Sequence, residues 1–261
     1  DNSMGEKKTR TERMKAQHPI CCYCGHRPTE TTDHCPPKIV FLNKDRPKGL
    51  EFPACEDCNK KSSTGDAVAA LIFGLTVNIN PELVEHKVSA IKRFKTVQIC
   101  APEVIQEVLY NRPNRTFEKR EVSAVGLDPQ KVKLFSVGPN TRRHLFNFSA
   151  KLTVAAYFNE TQEICLPTTE ILTHVSLNHQ LLKHGLPELP ILYEKISSLK
   201  QGIKDTTDQF SYAPVINREE RVGHFKFQFN SNAIIHGFIS EHGFSDDSKS
   251  EDFRRFGNLF I

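Results

Sequence analysis

Two pairs of cysteines carry the strongest chemical signal in this chain, Cys21-x-x-Cys24 and Cys55-x-x-Cys58, with thirty residues between them. Each CxxC turn lets two thiolates reach one ion, and two such turns supply the four sulfurs of a tetrahedral Zn²⁺ site. Gly25, directly after the first pair, suits a turn that needs positive φ. Cys22 competes as a ligand only through the poorer spacing Cys22-x-Cys24, and Cys35 reads as a packed thiol. A disulfide framework is the rival use of eight cysteines, but six of them crowd into one segment and a chain of 261 residues does not need bridges. Cys100 and Cys165 stand alone in apolar surroundings and read as buried thiols. The remaining alternative is a cluster of reduced cysteines that hold no ion. A closed site with four protein ligands performs no chemistry itself, so the zinc would position something else.

The groups available to be positioned lie between and just after the two pairs. Thr31-Thr32-Asp33-His34 is followed by Cys35-Pro36-Pro37, and Asn59 follows Cys58. Two β-favouring threonines lead into the Asp-His pair and the prolines stop regular pairing, so the spacing predicts a short strand ending at His34. Asn59 is expected to begin a helix fed by the second CxxC turn. Zinc would tie that helix start to the strand, so that a carboxylate and an amide oxygen face one hard divalent cation while the adjacent imidazole stays free for proton transfer.

The order CxxC, Asp-His, then CxxC followed at once by Asn resembles the HNH (ββα-metal) nuclease superfamily, specifically its phage endonuclease VII-like branch. The resemblance covers about forty residues, roughly a sixth of the chain. It implies that Cys21, Cys24, Cys55 and Cys58 hold a structural zinc, that Asp33 and Asn59 hold a catalytic Mg²⁺ or Mn²⁺, and that His34 activates water. The middle asparagine of the family pattern is missing, since the chain reads Lys48-Gly49-Leu50 there. The brace on His34 must then come from another residue.

Phosphodiester hydrolysis needs a nucleophile and charge neutralisation. An imidazole with an ordinary pKa near 6.5 can take a proton from water at neutral pH, an effect worth about 10²- to 10⁴-fold. The net charge of +4 and pI near 8.6 permit a phosphate partner without demanding one. Lys7, Lys8, Arg10, Arg13 and Lys15 form a basic arm before the cysteines, and Lys60 and Lys61 follow them as candidate contacts to a nucleic-acid backbone, or as an ordinary solvated helix surface. His26 reads as a surface or phosphate-contacting residue, and the histidines from His144 to His242 show no metal-ligand spacing. The function expected is therefore a metal-dependent endonuclease acting on nucleic acid, DNA before RNA, in the setting of bacterial or phage defence. Two rivals stand beside it: a non-catalytic zinc module that binds nucleic acid or protein, and a nuclease effector silent until a regulatory partner docks. A homo-oligomer is an open alternative.

The elements that must hold these groups divide an α+β chain into four parts. Residues 1–19 are the basic arm, with Asp1-Asn2-Ser3 reading as a tag remnant before Met4. Residues 20–76 form the zinc-stapled treble-clef (ββα-metal) module, and the pattern Ala67, Val68, Ala70, Leu71, Leu75 predicts a helix with Asp66 as its N-cap. Residues 77–112 are linking helices, one capped by Asn80-Pro81-Glu82 and running to about Phe94, the other from Pro102 to Tyr110. A polar break at Asn111–Thr116 introduces residues 113–261, where the stripe Leu145, Phe148, Leu152, Ala155, Ala156 and Tyr157 predicts a core helix over 141–159. Pro187 to Pro190 reads as a turn before a short helix over 191–199. Phe210–Ile216, His224–Phe229 and Ile234–Ser240 read as an antiparallel meander that recognises substrate or a partner, the phenylalanines of the middle run facing the core. No apolar stretch reaches the roughly 18 to 20 residues needed to cross a bilayer, and a cytoplasmic address is expected.

Overall fold

Strands β1 (Thr31–His34) and β2 (Glu51–Ala54) pair antiparallel, with Thr31 opposite Ala54, Asp33 opposite Phe52 and His34 opposite Glu51. The computed structural model describes residues 2–41, 46–76, 84–110, 137–177, 200–201, 204–206, 209–230, 233–244 and 254–256. Before the hairpin comes α1 (Asn2–Gln17), and a single turn of 3-10 helix, Lys38–Val40, follows β1. As the prolines after Cys35 require, β1 stops at His34.

The helix after the hairpin, α2 (Glu56–Thr76), begins three residues before Asn59, so the second CxxC turn lies within its opening turn. It runs unbroken through Gly65 and Asp66, which corrects the expectation that Asp66 caps a new helix. Gly65 serves instead as a point of close approach: a Cβ there would lie 3.3 Å from the backbone oxygen of His144. From Gly65 to Phe73 every residue of α2 is buried, because α3 (Val84–Cys100) and α5 (Pro139–Thr161) flank it. The expected cap at Asn80 lies outside the described residues, and α3 continues past Phe94 to Cys100. Helix α4 (Pro102–Tyr110) matches its expected bounds. The expected break at 111–116 and the turn and helix expected over 187–199 lie outside the described residues.

Helix α5 starts with proline in its first turn and ends on Gln162 in the left-handed conformation. Its free N-terminal amides are served from outside: the Glu107 carboxylate accepts the backbone N–H groups of Asn140 and Thr141 and both of their side chains, at 2.7–2.9 Å.

The C-terminal strands form a five-stranded antiparallel sheet in the order β6 (Phe210–Asn217), β7 (Val222–Phe229), β8 (Ala233–Ser240), β3 (Glu170–Leu177), β9 (Arg254–Phe256). Strands β6, β7 and β8 are the expected meander, and β3 and β9 extend it. Two short strands, β4 (Lys200–Gln201) and β5 (Lys204–Asp205), pair with each other. Phe225, Phe227 and Phe229 point to one face, where Phe229 stacks on Phe73 of α2 at 4.6 Å between centroids and lies beside Phe148 of α5. One buried cluster thus runs from the cysteines through α2 and α5 to the sheet. Among the described residues no helix is long and apolar enough to cross a membrane.

Candidate metal centre and the residues around it

The first CxxC turn closes through the Gly25 N–H donating to Cys21 O at 3.0 Å, with Gly25 at φ +70° as its sequence position suggests. Cys22 N–H donates to Pro53 O at 2.9 Å and anchors this turn to β2. In the second turn the Cys58 amide donates to Cys55 Sγ at 3.4 Å, and Asn59 N–H donates to Cys55 O. The thiols of Cys21, Cys24, Cys55 and Cys58 all lie within 4.8 Å of one another and all are buried. Four sulfurs converging from two tight turns, one of them accepting a backbone amide, fit a structural zinc. A hydrogen bond with Cys58 outweighs burial and lowers the Cys21 pKa. Cys22 stays outside the cluster, a buried thiol held protonated by desolvation, and burial does the same for Cys35. Two solitary cysteines differ from expectation: Cys100, at the last turn of α3, is exposed, and Cys165, in the connection from α5 to β3, is half-buried.

Along β1, Thr31 and Asp33 face the helices while Thr32 and His34 face the other way, as alternation in an extended strand demands. Asn59 donates its side-chain amide to Thr31 Oγ1 at 3.1 Å, which fixes the first turn of α2 to the strand. Asp33 is enclosed. Its Oδ2 accepts the Tyr23 hydroxyl at 2.6 Å and lies 3.0 Å from Lys151 Nζ, and that ammonium reaches on to Asp66 Oδ2 at 2.8 Å. The Lys151 side chain has no exposed surface. Burial disfavours its charge, but Asp33 and Asp66 more than compensate and raise its pKa. Desolvation pushes Asp66 up to about 6 against the pull of Lys151.

A divalent cation shared by Asp33 and Asn59 does not fit this arrangement. The Asp33 carboxylate is buried and its Oδ2 already has an ammonium and a hydroxyl as partners, whereas the Asn59 nitrogen on Thr31 leaves the amide oxygen as the atom that could hold an ion. The open carboxylate expected next to His34 is therefore absent, because α5 delivers a lysine to it.

His34 keeps part of its ring open to solvent. Its side chain is 37% exposed, while its Nδ1 is enclosed without a hydrogen-bond partner, 3.6 Å from Glu51 Oε1 across the hairpin. The exposure belongs to the rest of the ring. Burial first, then the nearby Arg46, lowers the His34 pKa below the ordinary histidine value despite Glu51, so the imidazole is neutral at pH 7. Glu51 is itself held by Arg46 Nη2 at 2.9 Å and by Arg10 of α1. Lys60 and Lys61 are exposed on α2, Lys61 pairing with Asp57 at 3.0 Å, where Arg27 also binds. His26 Nδ1 lies 2.8 Å from Cys24 O.

Comparison with protein-family models, curated proteins and solved structures gives no match to this chain.

Three residues that shape the site escaped the sequence reading, Tyr23, Glu51 and Lys151, and a fourth, Asp66, reads from sequence only as a helix cap. Lys151 carried a readable signal, since it lies three residues after Phe148 and so on the apolar stripe of α5, where a lysine must find a buried partner. Glu51 had none, because its meeting with His34 depends on the hairpin register.

Proposed function

We propose that residues 20–76 are an HNH-type nuclease module of treble-clef (ββα-metal) topology that hydrolyses phosphodiester bonds of nucleic acid, DNA before RNA. The observation that carries this reading is the junction made by the four cysteines. They tie the strand bearing Asp33-His34 to the helix turn bearing Asn59, with the Asn59–Thr31 hydrogen bond across the seam and His34 left half-exposed and neutral. In this reading His34 accepts the proton of the attacking water. Glu51, opposite it in the hairpin, stands where the brace missing from the family pattern is needed. Arg10 and Arg46 both pair with Glu51, Arg46 close enough to the imidazole to lower its pKa, and the exposed Arg10 is the one a phosphate oxygen can draw away.

One observation favours a second reading, a non-catalytic zinc module that binds nucleic acid or protein: the enclosure of Asp33 by Lys151 and Tyr23. The two separate on one experiment. Plasmid DNA, single-stranded DNA and RNA are incubated with the wild-type chain and with His34→Ala in Mg²⁺, Mn²⁺ or EDTA, beside a zinc determination. Cleavage by the wild type that His34→Ala loses while keeping its zinc supports the nuclease. Intact substrates under every condition, with zinc bound, leave the binding module.

A further inference from the structure

Lys151 lies in the middle of α5 with its ammonium between two carboxylates, 2.8 Å from Asp66 Oδ2 and 3.0 Å from Asp33 Oδ2. The three side chains come from α5, α2 and β1, so the pocket exists only in the folded chain. Tyr23 closes it from the first CxxC turn, its hydroxyl on Asp33 and its ring 5.8 Å from the ammonium. Asp66 is buried, and its second oxygen, Oδ1, has no hydrogen-bond partner in the described structure. The pocket thus combines two carboxylates, one hydroxyl, one unused acceptor and a single cation that the chain itself supplies.

We infer that Lys151 is the resident cation of a two-carboxylate site: it excludes divalent metal from Asp33, and removing its charge converts the pocket into a divalent-cation site built by Asp33 and Asp66. The two carboxylates offer oxygen donors, which favour hard ions such as Mg²⁺, Ca²⁺ and Mn²⁺, and the neighbouring Cys35 thiol is held protonated by burial. An ammonium hydrogen-bonds carboxylate oxygens at about 2.7–2.9 Å, whereas such ions bind oxygen at about 2.0–2.6 Å, so either can bridge the same two groups. They cannot do so together. A second, doubly positive ion beside a desolvated ammonium meets repulsion that little solvent is present to screen. Without the ammonium, two desolvated carboxylates repel each other and gain most from an ion between them.

The test reads binding, so it stands whether or not the chain cleaves nucleic acid. Zinc-loaded wild type, Asp33→Asn, Lys151→Ala and the double variant are titrated with Mn²⁺ and followed by electron paramagnetic resonance and thermal melting. The expected result is that wild type and Asp33→Asn bind Mn²⁺ alike, that Lys151→Ala gains about one further Mn²⁺ per chain and melts higher in its presence, and that the double variant loses this gain. A Mn²⁺ ion on the wild type that Asp33→Asn abolishes overturns the inference, since Asp33 would then hold metal beside the lysine. So does a folded Lys151→Ala that gains no ion. Should Lys151→Ala fold poorly alone, refolding in Mn²⁺ supports the inference and failure to refold there overturns it.

Discussion

Lys151 of α5 and Asp33 of β1 form an ion pair with 3.0 Å between Nζ and Oδ2, both side chains withdrawn from solvent. The pair joins the hairpin beside the four-cysteine cluster to the helix that carries the C-terminal sheet. Breaking a buried pair from one side leaves an uncompensated charge, typically at a cost of about 3–5 kcal/mol. Lys151→Met should therefore destabilise the chain by about that much, read as a lower denaturation midpoint. Asp66→Asn should cost less than Lys151→Met, because burial already pushes the Asp66 carboxyl up to about 6 and so disfavours its charge. Equal penalties for the two would contradict the ordering.

Zinc should be found at about one per chain, and Cys58→Ser should lose it. Without the ion, four buried thiols are left to hold a segment otherwise short of apolar residues. A strong chelator should lower the melting temperature of the wild type and change the Cys58→Ser variant little. A wild type that contains no zinc and ignores the chelator would leave the cysteines as a packed cluster.

Cleavage, if carried by His34, should fall on acidification with a midpoint below the ordinary histidine value of about 6.5, because burial and Arg46 favour the neutral ring. His34→Ala should reduce the rate by about 100-fold or more with little effect on melting, since the side chain is 37% exposed. Glu51→Gln should move the midpoint lower still by removing the carboxylate that favours the charged ring. A midpoint above 6.5, or one unmoved in Glu51→Gln, would place the titrating group elsewhere.

His224 and His236 meet on neighbouring strands, Nε2 to Nδ1 at 3.1 Å, and burial lowers them to about 4 and about 3. Lys226 adds to both shifts, and His174, opposite His236 in β3, adds to the second. A histidine depressed in the fold stabilises above its unfolded value of about 6.5, and that stability drains away as pH falls toward the folded value. Between about pH 6.5 and 4, each should cost on the order of 1.4 kcal/mol per pH unit. His236→Gln should flatten the acid limb of a denaturation-against-pH series. An unchanged limb would show that the His236 ring is not buried neutral.

Gly237 of β8 packs against Thr153 of α5 so closely that a Cβ would lie 1.9 Å from Thr153 Oγ1. Gly237→Ala should cost about 1–3 kcal/mol through displacement of α5 from the sheet. Pairing it with Thr153→Ser, which keeps the hydroxyl but drops the methyl, should recover little, while Thr153→Ala should recover more. The denaturation midpoints of the four chains check this.

The elements were legible where a local pattern carried them. Helical spacing located α5, aromatic and β-branched runs located β6, β7 and β8 but not the equally long β3, and paired prolines ended β1, because each signal depends on neighbours a few residues away. Misreadings fell where a distant partner decides. Gly65-Asp66 looks like a helix start, yet α2 runs through it, since Gly65 admits α5 and Lys151 neutralises Asp66. Cys100 looks apolar in context but lies on the outer side of α3.

The sequence by itself determined that four thiols would converge, since a CxxC turn is local geometry and two such turns can share one ion, and it determined which residues ride on the joined strand and helix. Only the tertiary structure decided what those residues face. The register of the hairpin sets Glu51 across from His34, and the packing of α5 against β1 and α2 drives an ammonium onto Asp33. Both depend on groups far apart in the chain, whose encounter is fixed by burial of the common core and not by any spacing along it.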